Sequence, residues 1–167
     1  MILSSNNQEN NVLSADTIKF LLKLHKTIEN ITIVSSGLSY GDLCLKEPEK
    51  SECATKSLLQ IWNYDELKIE QLTDKAVLEK ITETLANKSL GALDEIDSIL
   101  SGVEYDQDSN QVKKAKGLMN IWFLKQNGTK EEGKKPIDEI AMAWEKIFID
   151  KIIKDSKIEP LKLTRLL

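Results

Sequence analysis

The residues able to do chemistry in this chain are few. There are two cysteines, Cys44 and Cys53, and one histidine, His25. No CxxC pair and no second imidazole accompany them, so the ligand set of a zinc site is missing. The cysteines bracket Leu45-Lys46-Glu47-Pro48-Glu49-Lys50-Ser51-Glu52, a stretch too polar to enter a core. They therefore flank a surface loop. Lone cysteine pairs are buried thiols in cytosolic proteins and disulfides in exported ones, and this spacing favours a loop-closing disulfide. Closing about ten residues is worth roughly 2–3 kcal/mol on the chain-entropy account. His25 falls on an apolar stripe with Ile18, Leu21, Leu22 and Ile28. Two readings of it stay open: a ligand-gating or pH-sensing imidazole, and a histidine packed at the edge of a core.

The carboxylates form no catalytic constellation. Glu131-Glu132 sit in a charged loop where both would be solvated, and Asp94, Glu95 and Asp97 lack the Asn and Gly positions of a calcium loop. No P-loop, GxGxxG, GxSxG, HExxH or EF-hand pattern occurs. The chain is therefore expected to have no catalytic, cofactor-binding or metal-ligating residues and not to be an enzyme. Three N-x-S/T sequons, at Asn30, Asn87 and Asn127, are candidate glycosylation sites; with the cysteine pair they tilt toward an extracellular or lumenal location.

Composition narrows the class further. The 167 residues carry 23 Lys+Arg against 27 Asp+Glu, a net charge of −4, which weighs against nucleic acid as a partner. Hydrophobic residues at 41% and charged residues at 30% fit a globular chain. No apolar run approaches the roughly 18 residues of a membrane span, and Met1 to Asn11 lacks a signal-peptide core. An extracytoplasmic location would thus make the chain a piece of something longer. Residues 1–13, rich in Asn, Ser and Gln, read as a flexible lead-in, and 14–167 as one domain.

The elements that must position these residues follow from periodicity and punctuation. Ser14 caps a helix from about Ala15 to Glu29. Ile31-Thr32-Ile33-Val34 is β-branched and reads as a short strand, turning at Ser35-Ser36-Gly37. Thr55 is placed as the cap of a helix carrying Leu58, Leu59, Ile61 and Trp62. A further helical stretch covers Glu66 to Leu72. Thr73 caps another helix, with Val77, Leu78, Ile81 and Leu85 on one face, and a helical turn is expected near Ala92–Leu100. Val112 to Gln126 fits a helical face, yet Leu118 to Leu124 is also a nearly continuous apolar run ended by Asn127-Gly128, as in a buried strand. Pro136 suits the first turn of a long helix with Ile137, Ile140, Ala141, Trp144, Phe148 and Ile152 inward, and Ile158 to Leu163 alternates like a last strand.

Several of these segments together resemble a known pattern. Tyr40-Gly41-Asp42-Leu43-Cys44, followed by Cys53 and Ser57-Leu58-Leu59-Gln60-Ile61-Trp62, is similar to the Tyr-x-Asp-Leu/Ile-Cys motif of Patched-related and Niemann-Pick type C lipid transporters of the resistance-nodulation-division superfamily. The likeness extends through Leu24–Thr32, Ile99–Val103, Val112–Leu118, Trp122–Lys125 and Ala143–Ile149, in the family's order. Two departures are evident: Niemann-Pick relatives carry extra cysteines and a longer insertion where Leu72 to Leu100 stands here, and Ser101 replaces the first glycine of a Gly-Gly turn.

The resemblance implies the first extracytoplasmic domain of such a transporter. It implies an α+β, ferredoxin-like fold, an antiparallel sheet with helices on one face, and a strand rather than a helix at Leu118. It implies a binding or conduit module for sterols or other lipids, with the remaining transporter domains and membrane helices as partners, and an extracellular protein ligand as a further possible one. The alternative class is a soluble intracellular, mainly helical scaffold with reduced cysteines.

Overall fold

The computed structural model describes residues 2–5, 11–47, 51–87, 96–125, 138–155 and 161–164. In chain order their elements are β1 (Ile2–Ser5), α1 (Ala15–Glu29), α2 (Tyr40–Leu43), β2 (Thr55–Lys56), a 3-10 helix (Leu58–Trp62), α3 (Glu66–Glu70), α4 (Asp74–Ala86), α5 (Ile96–Ile99), β3 (Leu100–Ser101), β4 (Glu104–Tyr105), β5 (Val112–Lys114), β6 (Gly117–Met119), β7 (Ile121–Trp122), α6 (Glu139–Asp155) and β8 (Leu161–Thr164). Helices and short antiparallel strands make this an α+β fold. Where one domain was expected over 14–167, the chain divides into two compact units: Met1–Leu24, Lys56–Ile121 and Ile158–Leu167 in the first, His25–Thr55 and Trp122–Lys157 in the second.

The first unit is built on a four-stranded sheet in the order β3-β6-β1-β8. Every pairing is antiparallel, with Leu3 opposite Leu118 and Leu163, and Leu100 also opposite Leu118. Taken in chain order, the second, third, first and fourth strands of the sheet are neighbours. Parts of the expected lead-in are built into the fold: Ile2–Ser5 is an interior strand, and Val12 and Leu13 are fully buried. Asn11 does the fastening. Its Oδ1 accepts from Leu13 N–H at 2.9 Å and from Ala115 N–H at 3.2 Å, while Val12 N–H donates to Ala115 O at 2.9 Å. The polar composition concealed this because the partner strand lies a hundred residues downstream.

Leu118 to Leu124 is extended, as the strand reading required, but in two pieces separated at Asn120. Leu118 is fully buried and joins a core with Ile18, Leu21, Leu22, Leu58, Leu59, Ile69, Val77 and Ile81. Asn120, the polar break in the apolar run, is itself buried, and Met119, Ile121 and Trp122 beside it are half-buried. Local chemistry starts the helices of this unit. Ser14 Oγ accepts from Thr17 N–H at 3.2 Å, Asp65 Oδ1 from Lys68 N–H at 3.1 Å and Thr73 Oγ1 from Ala76 N–H at 3.3 Å. The helix expected to be capped by Thr55 differs. Thr55 opens β2, and Ser57 Oγ caps the 3-10 helix by accepting from Leu59 N–H at 3.2 Å. Asn63, at φ +52°, ends it after five residues.

In the second unit the strand expected at Ile31–Val34 shrinks to a single bridge between Thr32 and Ser39. Ile33 N–H donates to Leu38 O and Gly37 N–H to Ile33 O, both at 2.8 Å, so the backbone closes on itself within six residues. Gly37 supplies the left-handed turn, at φ +71°. α6 starts behind Asp138, whose Oδ1 accepts from Ala141 N–H at 2.9 Å. Pro136, Glu131-Glu132, Asp94 and Glu95 lie outside the described residues, as do 158–160 ahead of β8.

Candidate functional site

Cys44 and Cys53 are joined, with Cα atoms 5.5 Å apart. Cys44 ends α2, its N–H donating to Tyr40 O at 2.8 Å, and is fully buried; Cys53 is half-buried. The two described arms of the bracketed segment pair with each other, Ala54 N–H donating to Leu45 O at 2.7 Å and Glu47 N–H to Glu52 O at 3.2 Å. Leu45 N–H donates to Phe123 O at 2.9 Å, Lys125 N–H to Leu43 O at 2.9 Å and Phe123 N–H to Ala54 O at 3.3 Å. The disulfide thus ties the base of a polar excursion where it meets the segment after β7. Lys46 Nζ stands 3.7 Å from Cys53 Sγ, on the exposed side of the bridge.

The Tyr40-Gly41-Asp42-Leu43-Cys44 motif divides its labour by side chain. Tyr40 and Leu43 point inward, at 1% and 4% exposure. Asp42 faces solvent, where its Oδ2 accepts from Ser39 Oγ at 2.7 Å and from Ser39 N–H at 2.8 Å. These hydrogen bonds, with lesser help from Lys125 and Lys46, hold the Asp42 carboxyl below the usual carboxylate range.

From Tyr40 a ladder of rings crosses the second unit. Tyr40 packs on Trp144 with centroids 5.4 Å apart, Trp144 on Phe148 at 5.3 Å, Phe148 on Trp122 at 6.0 Å and Trp122 on His25 at 6.5 Å. Trp144 and Phe148 are four apart on α6 and so share one face. The ladder ends in polar contacts. Trp122 Nε1–H donates to His25 Nδ1 at 3.4 Å, and His25 Nε2 lies 3.3 Å from Glu29 Oε1. Burial pushes the His25 pKa down, partly opposed by the Glu29 charge and hydrogen bond. His25 packs at a core edge, 8% exposed, and its pairing with Trp122, 97 residues away, has no local signal in the sequence.

The sequons separate. Asn30 is exposed just beyond α1, its Nδ2 donating to Lys26 O at 2.8 Å, and Asn87 is exposed at the end of α4. Asn127 lies outside the described residues. Among the described residues no cluster of His, Cys, Asp and Glu could hold a metal ion, and no helix is long and apolar enough to cross a membrane. No family model and no curated protein matches this chain.

Proposed function

We propose that this chain is an extracytoplasmic module of a Patched-like lipid transporter, a binding or conduit element for sterols or other lipids with no catalysis of its own. The observation that carries this reading is the meeting of the residues behind the resemblance. Tyr40, Cys44, Cys53, Trp122, Trp144 and Phe148 come from three distant stretches of chain and gather in one unit around the disulfide and the ring ladder. The strand order of the first unit's sheet, β3-β6-β1-β8, supports the ferredoxin-like form of the fold. The disulfide is compatible with an extracellular or lumenal site.

The test is made on the full-length gene product in membranes, with a photoactivatable sterol analogue followed by peptide mapping. Label within 25–55 or 138–155, competed by unlabelled sterol, is the expected result; an unlabelled protein overturns the lipid reading. Intact mass after alkylation without reductant addresses location. No adduct is expected, and alkylation of both cysteines would support the intracellular scaffold instead.

A further inference from the structure

We propose that His25 is a proton-operated latch between the end of α1 and the strand that carries Trp122. The argument starts from donors and acceptors. An indole N–H can only donate, so the 3.4 Å contact from Trp122 Nε1 requires a lone pair on His25 Nδ1. The imidazole proton then sits on Nε2, facing Glu29 Oε1 at 3.3 Å. Both nitrogens are committed, and the tautomer is fixed by its neighbours.

Proton uptake has one basic nitrogen left to use, Nδ1. A proton from solvent placed there sets an N–H against the N–H of Trp122. The hydrogen bond is lost and replaced by a donor–donor contact, while Nε2–H stays with Glu29. Glu29, on the histidine's own helix, is a charged group that acts on the imidazole and favours its protonated form. β7 brings the indole, and the ring that α6 lays on that indole, Phe148, is uncharged. Because His25 is 8% exposed, the new imidazolium N–H has little bulk water to turn to in place of the indole. Acidification therefore favours separation of Trp122 from α1.

His25 is the chain's single histidine, so its NMR signals need no assignment against others. In a 15N- and 13C-labelled sample above pH 7 the imidazole should be the neutral Nε2–H tautomer. On acidification its midpoint should fall below 6.5, and the Trp122 indole N–H resonance should move with that same midpoint. Trp122→Phe should raise the midpoint, since protonation no longer costs a hydrogen bond; Glu29→Gln should lower it. A neutral Nδ1–H tautomer, or a Trp122 resonance that does not follow the imidazole, overturns the latch. Both decisive readouts are made on the unaltered chain, so they stand even where a variant fails to fold.

Discussion

The two cysteines differ in what they touch, and the difference sets an expected asymmetry. Cys44 is fully buried at the end of α2, whereas Cys53 is half-buried beside Lys46. Replacing either by Ser in an oxidising medium should cost on the order of 2–4 kcal/mol, read from the urea midpoint. Under reductant Cys53→Ser should become nearly silent. Cys44→Ser should still cost about 1–3 kcal/mol, because its hydroxyl has to be buried. Equal residual costs for the two variants would contradict this placement. His25 adds a pH dependence of known sign. Its pKa is lowered on folding, so its contribution is full above the unfolded value of 6.5 and is lost as pH falls through the folded value. The urea midpoint should therefore drop between pH 7.5 and pH 5, and His25→Gln should flatten that part of the profile.

At the scale of elements, single side chains join segments that are distant in sequence. Thr82 Oγ1 on α4 accepts from Val112 N–H of β5 at 2.9 Å and donates to Leu78 O at 2.8 Å. Thr82→Val keeps the shape but leaves a buried N–H unmet, an expected loss of about 1–3 kcal/mol. Thr73→Ala removes only a cap and should cost about 1 kcal/mol. Thermal melts of the two variants should rank in that order. Gly102, at φ +61°, sits where an added Cβ would lie 3.0 Å from the Lys116 side chain. Gly102→Ala should destabilise by about 1–2 kcal/mol, through the left-handed backbone as well as the contact. Ser101, the residue before it, is not at positive φ, so the backbone demands glycine at position 102 only.

At the scale of the molecule, stability should decline in two stages on acidification. His25 acts first. Asp42, Asp65, Glu104 and Asp106 act later; hydrogen bonds from Ser39, Lys68, Lys114 and Ser109 respectively are the leading cause that holds each below its ordinary value. Their contribution is present above the unfolded values and lost as pH falls through the lower folded ones. The exported reading carries its own check. Expressed through a glycosylating secretory pathway, the chain should gain glycan mass at Asn30, Asn87 or Asn127. An unmodified mass from such a host would count against export.

Wherever neighbours in sequence are neighbours in space, the amino acids alone determined the outcome. The bounds of α1, the Thr73 cap of α4 and the Cys44–Cys53 bridge across a polar excursion were all legible, because each depends on groups within about fifteen residues. The tertiary structure decided what depends on remote partners. Ile2–Ser5 became an interior strand because β6 and β8, more than a hundred residues away, supply its hydrogen bonds. Ile31–Val34 is the local exception, its β-branched run folding back at Gly37 onto one bridging partner, Ser39. His25 acquired its tautomer from Trp122. Backbone donors and ring nitrogens must be satisfied by whatever the fold brings near, and local propensity carries no record of which distant group that is.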